Sequence, residues 1–441
     1  MKKALKIILI ILSCIALIIA GISIAHYICN LSLRKYIASF DPVAYEERLE
    51  PVVSDGYYTF VTDDDLKVMH ITDIHISGGM WTYKRDKKSI YEVITMLQKE
   101  KPDLVILGGD NTYCVPTFGY NGGFTFNNKM VAKTVIEIFE HEEVYFTTVF
   151  GNHDTEPFDF ADRQEVAQLY MDEDYKYCIF EECFTDPDAD TVPSASNQFI
   201  LVKNTSGDIT KLLIMLDTNA YMDTRFITSA RMLYDTIHQS QIDWAESEIK
   251  KLSAMQGLAE GEYLKSLVFV HIPTGEYRSA MDDLITEIKD ADGNVIAYEQ
   301  NEDPQYTEFV EGYWDEDKIY FGGLANTDIA PDDQDLLFET LGLKLGSMEA
   351  MFCGHDHVNN AVVYYKGIML SYGYSVDNTA YGNAIASVGS QRGATVITVH
   401  PDGSFEQVHK NAYTDYGCDP NLFVEVDPDA VFYPKQYRTV Q

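Results

Sequence analysis

The chain has 441 residues, of which 46% are hydrophobic, so it is long enough to bury a large core in one or two domains. Its formal net charge is −36 at pH 7. This charge argues against a protein that binds nucleic acid through the phosphate backbone, because such binding depends on Lys and Arg side chains.

The first residues of the chain differ from the rest. Residues 1–35 carry five basic and no acidic side chains, whereas the remainder carries 28 basic and 69 acidic ones, a net charge of −41. The nineteen residues from Ile7 to Ala25 carry no charge. As a helix they would nearly span a hydrocarbon core of about 30 Å.

Two interpretations of this N-terminal segment are open. The apolar region of a cleaved signal peptide is only about 7 to 15 residues long, so residues 1–30 are predicted to be an uncleaved signal anchor. The lysines before the apolar run favour a cytoplasmic N-terminus and a single-pass protein of the cell membrane with its main domain outside the cytoplasm. Secretion after signal cleavage is the alternative.

Residues 31–60 are predicted to form a juxtamembrane linker, and residues 61–441 a single domain. Short apolar runs alternate there with segments of helical period, which is typical of α/β folds. Apolar residues recur with helical spacing from Ile90 to Leu97 and from Ile242 to Leu252, which predicts helices there. The predicted strands are Leu66 to Ile71, Leu104 to Leu107, Val144 to Phe150, Leu212 to Leu216, Ser266 to Val270, Met348 to Phe352, Ala361 to Tyr365 and Thr395 to Val399.

Five cysteines lie in the predicted domain, so they cannot all pair within one chain. Only Cys178 and Cys183 are close enough in sequence to suggest a local disulfide bridge.

Five short clusters of polar residues follow predicted strands, at the point where each strand ends. α/β folds place ligands at the carboxyl ends of strands. Carboxylate, imidazole and carboxamide groups suit Mn, Fe and Zn ions, so the clusters predict a metal site. They are Asp73-Ile74-His75, Gly109-Asp110, Gly151-Asn152-His153-Asp154, His271 and Gly354-His355-Asp356-His357.

Each cluster alone is a weak indication, because a histidine in an apolar strand, such as His70, is usually a packed core residue. In Asp-x-His and His-x-His, however, alternate side chains point to the same side and can reach one metal cluster. Independent core histidines do not explain five such clusters in a row.

The clusters resemble the ordered motifs of the calcineurin-like metallophosphoesterases, which are D-x-H, G-D, G-N-H-[DE], a strand-end His and G-H-x-H. All five are matched, over roughly residues 62–400. The chain is most similar to the purple-acid-phosphatase-related branch, through Val268 to His271, Gly354 to Asn360 and Ser240 to Trp244. The resemblance implies a four-layer α/β/β/α sandwich of two mixed sheets, with residues 275–346 as an insertion between metal-ligand motifs.

The resemblance also implies a pair of divalent or mixed-valence metal ions, Mn, Fe or Zn. Such a pair, about 3.5–4 Å apart, holds a hydroxide and clamps a phosphoryl group, and this bridging hydroxide is the implied nucleophile. Asp110 is expected to bridge the two ions. The other implied ligands are Asp73, His75 and His357 for the first metal, and Asn152, His271 and His355 for the second.

His153 is implied to act at the leaving-group oxygen, as a general acid or a charge stabiliser, with Asp154 orienting its ring.

In purple acid phosphatases glycine stands where this chain has His75, and a tyrosine corresponding to Tyr113 binds ferric iron. This chain has both candidates, and we expect His75 to be the ligand and Tyr113 a neighbouring packing or hydrogen-bonding residue.

Other polar residues are weaker candidates. Asn111 and Thr112 are expected to lie near the substrate, and Asn359 and Asn360 to support the ligands. Histidines outside the motifs are expected in surface or packing positions; they are His26, His141, His238, His400 and His409.

The predicted function is therefore hydrolysis of a phosphate ester, with a phosphomonoester as the preferred substrate class. A phosphodiester, such as a cyclic nucleotide or a glycerophosphodiester, is the alternative substrate, because both reactions use the same metals. A non-catalytic surface domain is disfavoured by the complete ligand set, and a nuclease by the negative charge.

Overall fold

The structure, a computed structural model, describes residues 2–115, 123–184, 194–220, 234–291, 295–301, 303–311, 336–357, 359–380 and 392–423. The helices are α1 Lys2–Ile37, α2 Tyr83–Glu100, α3 Asn128–Glu142, α4 Arg163–Tyr170, α5 Gln239–Met255, α6 Gly275–Leu284 and a π-helix at Phe338–Lys344. The strands are β1 Val52–Ser54, β2 Tyr57–Val61, β3 Leu66–Ile71, β4 Leu104–Leu107, β5 Phe146–Thr148, β6 Gln198–Lys203, β7 Ile209–Met215, β8 Ser266–Phe269, β9 Ile285–Lys289, β10 Val295–Gln300, β11 Thr307–Glu311, β12 Met348–Cys353, β13 Val362–Tyr365, β14 Ile368–Tyr372, β15 Gly393–Val399 and β16 Phe405–Asn411.

Two mixed sheets form the centre of the molecule. One has five strands in the order β16-β15-β3-β4-β5, and the other has nine in the order β1-β2-β6-β7-β8-β12-β14-β13-β11. The strands that precede the polar clusters, β3 to β5 in one sheet and β8 and β12 in the other, pair in parallel. Their carboxyl ends therefore meet at one edge of each sheet.

The two sheets pack face to face, with a helical layer on each outer face. Strand β4 shows why, because alternate side chains of a strand point to opposite faces. Leu104 and Ile106 belong to the core between the sheets, and Val105 and Leu107 to the core under α2 and α3. Helices α5 and α6 and the π-helix cover the nine-stranded sheet. The four-layer α/β/β/α prediction is confirmed.

All eight predicted strands are present, with ends shifted by up to three residues. His70 is fully buried, with its ring 5.7 Å from that of Phe269, as expected for a core residue.

The segment after the apolar run is more structured than the predicted linker. Helix α1 continues to Ile37, and β2 pairs in parallel with β6 inside the large sheet. Leu33 and Ile37 are fully buried in the core under α2 and α3. Burial of these side chains explains why the chain does not form an open connection there.

Residues 275–346 also contribute to the fold where they are described. Strand β11 pairs with β13 at the edge of the nine-stranded sheet, and β9 and β10 form a separate hairpin.

Cys178 and Cys183 are free thiols, so the suggested local bridge is not formed in this structure.

Candidate metal centre

The predicted ligands come from both sheets and meet at one edge of the sandwich. Asp73 and His75 follow β3, and Asp110 follows β4. His271 follows β8, and His355 follows β12. Every one of these side chains is at most 4% exposed, so the site is a buried cluster rather than a set of surface acids.

The side chains form two groups that share one carboxylate. Within each group the ligand atoms lie within 4.8 Å of one another. A shared carboxylate is the arrangement expected of a group that bridges two cations. The first group is Asp73, His75, Asp110 and His357, and the second is Asp110, His271 and His355.

Asn152, the remaining predicted ligand, is fully buried. The backbone N–H of the next residue, His153, donates to Asp110 Oδ1 at 2.7 Å. The loop after β5 is thereby attached to the shared aspartate.

Backbone geometry marks the same positions. Asp73, His75, Asp110 and His355 have φ of 54°, 52°, 50° and 71°, in the left-handed region that non-glycine residues rarely adopt. Each such residue costs about 1–3 kcal/mol, and such strain concentrates at functional sites. The surrounding fold therefore stabilises an otherwise unfavourable arrangement of ligands.

Two motif glycines allow these loops to approach each other. A Cβ at Gly151 would overlap the Asp110 carboxylate, and one at Gly354 would overlap the hydroxyl of Thr72. No side chain larger than hydrogen fits at either position.

The buried charges of the site are strongly coupled. Burial by itself would raise the pKa of Asp110, but His271 and His153 outweigh it and hold that pKa well below its usual range. Burial, with His271 nearby, lowers the pKa of His355 to about 3. An anionic carboxylate beside a neutral imidazole is the protonation state in which both groups bind metals.

The donor set also fits a cation because several of its buried atoms lack hydrogen bonds. Among the described residues, Asp110 Oδ2 and the Nε2 atoms of His75, His271 and His355 have no hydrogen-bond partner of good geometry. The nitrogens of His75 and His271 lie 3.4 and 3.2 Å from Asp110 Oδ2. Buried polar atoms are normally satisfied, so their convergence indicates a metal site.

Asp377, which the sequence motifs do not include, lies on the Nδ1 side of two ligand histidines. It lies close to the Nδ1 atoms of His357 and His75, at 3.2 and 3.7 Å. Metal-binding histidines usually direct their second ring nitrogen to such a carboxylate, which fixes the ring.

The His153 ring is held by Glu156 and not by Asp154, which corrects the expected contact. Glu156 contacts Nδ1 of His153. Asp154 instead accepts from the backbone N–H groups of Gly151 and Thr112, at 2.9 and 3.0 Å. Its carboxylate is occupied in holding two ligand loops together.

The protonation of His153 follows from its neighbours. Burial would lower the pKa of His153, but the carboxylates of Asp110 and Glu156 outweigh it and raise that pKa to about 9. A protonated imidazole beside the metal cluster is able to donate a proton or stabilise negative charge.

A buried ion pair supports the turn that carries Asn152 and His153. Arg163 at the start of α4 donates to Asp217 through Nε at 2.8 Å. The same guanidinium donates to the carbonyl oxygens of Gly151 and Phe150, both at 3.0 Å.

Tyr113 is 8% exposed and packs its ring edge-on against His75 and His153, with centroids 5.0 and 4.8 Å away. The ring lies beside both imidazoles. Asn111 Nδ2 donates to Thr148 Oγ1 at 3.1 Å, and Asn359 Oδ1 accepts from the N–H of Ala361 at 3.0 Å.

The other histidines named above lie outside both ligand groups. Each makes a contact elsewhere: His26 with Trp81, His141 with the Phe40 carbonyl, His238 with Asp235, His400 with Asp65 and His409 with Thr395.

Comparison with known proteins agrees with this geometry. Residues 66–359 match the family model described as calcineurin-like phosphoesterase. The chain is 24% identical over 345 residues to a protein of Arabidopsis thaliana named probable inactive purple acid phosphatase 28, covering 73% of each chain. It is 24% identical over 369 residues to probable inactive purple acid phosphatase 29 of the same plant, covering 77% of this chain and 78% of that protein.

Among solved structures, a dimetal phosphatase from Danio rerio aligns with a TM-score of 0.45 and 12% identity, over 79% of this chain and 97% of that one.

Proposed function

We propose that this chain, which belongs to the calcineurin-like phosphoesterase family, is an active dinuclear-metal phosphomonoesterase. The observation that carries the proposal is that two groups of buried ligand atoms share Asp110.

The residues would hold two metal ions. Asp73, His75 and His357 would hold one, and Asn152, His271 and His355 the other, with Asp110 between them. When bound, such a pair supplies a hydroxide at neutral pH and compensates the charge of the phosphoryl oxygens. Carboxylate, imidazole and carboxamide ligands suit Mn, Fe or Zn.

His153 would act on the leaving group. The side chain of His153 is 14% exposed, whereas the ligand carboxylates and rings around it are almost fully buried. The ring therefore faces the side from which substrate enters. With Glu156 fixing Nδ1, Nε2 is the atom that would donate a proton to the departing alkoxide oxygen.

The relatives bear on the choice of substrate and on activity. Both plant relatives are named purple acid phosphatases, which favours a phosphomonoester over a phosphodiester. Both are also named probable inactive. We propose that the present chain is active because all seven ligand positions and His153 carry functional side chains.

We further propose that α1 anchors the protein in the cell membrane with the catalytic domain outside the cytoplasm. Lys3–Ile37 is long and apolar enough to cross a membrane, and an 18-residue window within it has a mean hydropathy of 3.1. A signal sequence would pass the same test, and N-terminal sequencing of the mature protein distinguishes the two.

The test uses the full chain in detergent micelles, stripped of metal and reloaded separately with Mn²⁺, Fe²⁺ or Zn²⁺. Initial rates are measured on p-nitrophenyl phosphate and bis-p-nitrophenyl phosphate. We expect metal-dependent hydrolysis that prefers the monoester and is lost in Asp110→Asn. Asp174→Asn, which changes an exposed aspartate after α4, serves as the matched control and should retain activity.

A preference for the diester would favour the alternative substrate class. No hydrolysis of either compound by protein with two bound metals would contradict the proposal and favour a binding domain.

A further inference from the structure

The apolar helix α1 does not end at a hinge, because its last two turns pack on the catalytic domain. Leu33 and Ile37 are fully buried there. Asn30 donates from Nδ2 to the carbonyl oxygen of Gly78 at 2.9 Å and accepts from Thr134 Oγ1 at 3.0 Å. The domain therefore has a fixed orientation relative to the helix.

This junction is close to the metal centre. Asn30 lies five residues after Ala25, the last residue of the uncharged run, which is about 7.5 Å along a helix axis. Its partner Gly78 lies three residues after His75. With α1 in a bilayer, the loop that carries a candidate ligand therefore lies next to the membrane surface.

A groove of about 440 Å³ lies between α1 and the domain. This volume is within the range of ligand-binding pockets, about 300–1,000 Å³. Its α1 side belongs to or adjoins the uncharged run, so the groove would open toward lipid. Apolar side chains dominate its walls, which include Ile19, Ile22, Tyr27, Phe126, Met130 and Phe160.

The loops that line the groove also support the metal centre. Thr125 Oγ1 donates to the carbonyl oxygen of Ser77 at 2.8 Å, two residues after His75. Asn128 Nδ2 donates to the carbonyl oxygens of Ala161 and Asp154, at 2.9 and 3.3 Å. The loop that lines the groove is thus hydrogen-bonded to the segments that carry His75 and Asp154.

Exposed aromatic side chains surround this junction. Phe160 is 73% exposed and stacks on Phe126, and Trp81 is 40% exposed beside His26. Large aromatic residues are enriched where proteins meet the membrane–water interface.

The charge of the same region differs from that of the whole chain. Residues 123–136 contain Lys129 and Lys133 and no acidic residue, in a protein of net charge −36. Lysines next to a membrane are attracted to anionic lipid headgroups. On this wall of the groove the two lysines favour an anionic lipid headgroup over a neutral one.

We propose that the substrate is a membrane lipid with a terminal phosphate monoester, whose acyl chain occupies the groove while its phosphate reaches the metal centre. This inference rests on the proposed phosphoesterase function. Hydrolysis adds water across the phosphorus–oxygen ester bond, releases inorganic phosphate, and leaves the lipid alcohol, which takes up one proton, in the bilayer.

The test compares three phosphomonoesters with the metal-loaded full chain in phosphatidylcholine vesicles: phosphatidic acid in the vesicles, and glycerol 3-phosphate and p-nitrophenyl phosphate in solution. We expect kcat/KM for phosphatidic acid to exceed that for glycerol 3-phosphate by at least about tenfold, because two buried methylenes already contribute that factor. Phe160→Asp should lower the ratio of phosphatidic acid to p-nitrophenyl phosphate hydrolysis by about the same factor. Val408→Asp, at a 47% exposed position on β16, should leave the ratio unchanged.

A second measurement does not depend on activity. A variant with Trp81 as its single tryptophan, made by Trp244→Phe and Trp314→Phe, is placed in vesicles that contain brominated phosphatidylcholine. We expect the bromine atoms to quench Trp81 emission, since the ring would lie at the lipid interface.

The outcomes separate this inference from the function on which it rests. Hydrolysis of p-nitrophenyl phosphate without preference for phosphatidic acid over glycerol 3-phosphate would overturn the lipid substrate, and so would unquenched Trp81 emission; either would leave the phosphoesterase function intact. Absence of hydrolysis on all three compounds with two metals bound would remove the proposed function, and the lipid substrate with it.

Discussion

Asp377 Oδ2 lies 3.2 Å from Nδ1 of His357, on the side of the ring away from the ligand cluster. The backbone N–H groups of Thr379 and Ala380 donate to its other oxygen at 2.6 and 2.7 Å and hold the carboxylate in place. That second oxygen also lies 3.7 Å from Nδ1 of His75. One carboxylate thus orients the ring of His357 and lies near that of His75, a second proposed ligand of the same metal.

We predict that Asp377→Asn weakens binding of that metal by about 10- to 100-fold, the range found when such supporting partners are lost. The amide keeps the shape of the side chain but not its negative charge. Dissociation constants from competition with a chelator would measure the effect. Unchanged affinity for both metals would show that Asp377 does not support the ligands.

His153 is predicted to affect turnover and not metal content. His153→Ala should lower kcat by about 10²–10⁴-fold, the usual contribution of a positioned acid, with two metals still bound. Glu156→Gln, which keeps a neutral contact to the ring, should give a smaller loss. His400→Ala, which removes a ring that contacts Asp65 at the surface, is the control. Loss of metal in His153→Ala would instead identify this residue as a ligand.

The ion pair of Arg163 with Asp217 is predicted to stabilise the fold and the second metal position. Asp217→Asn leaves the buried guanidinium uncompensated, which costs about 3–5 kcal/mol in comparable pairs. Urea unfolding measures this loss. Glu246→Gln, which breaks the surface ion pairs of Glu246 with Lys250 and Lys344, should cost less than about 1 kcal/mol for each pair. Equal losses in the two variants would contradict the account.

Glu142 should make the stability depend on pH. Burial raises the pKa of its carboxyl to about 7, above an unfolded value of about 4.3. The folded state therefore holds the proton more tightly, and the stability that this group contributes is fully present below about pH 4 and is lost as the pH rises toward 7.

Glu142→Gln should thus be more stable than the unchanged chain at pH 8, by about 1–3 kcal/mol, with most of the difference gone at pH 5. Glu143→Gln is an opposite control, because its hydrogen bond to Arg48 lowers the pKa of Glu143. Thermal unfolding in micelles at the two pH values measures both variants. A pH-independent effect of Glu142→Gln would show that this carboxyl does not titrate as stated.

Much of the fold was predictable because β4 and β8 are buried on both faces and appear in the sequence as apolar runs, and because β3 and β12 are interrupted by only one or two polar residues. Strand β16 was missed because polar residues, among them Glu406 and Lys410, interrupt the apolar pattern. The short strands β1 and β2 were missed because they follow a segment that carries no strand pattern.

The candidate site was predictable where a motif encodes it. Its supporting residues were not, since Asp377 lies 20 residues after His357 and is brought to it only by tertiary packing. The contact of Glu156 with His153 could have been predicted from the sequence, because Glu156 stands only three residues after His153 and its carboxylate can reach that ring.

The central claim is that two metal ions share Asp110. The most direct measurement is an anomalous difference map from crystals of the full chain grown with Mn²⁺. The account predicts two peaks about 3.5–4 Å apart, one on each side of the Asp110 carboxylate. A single peak, or two peaks that do not share Asp110, would contradict it.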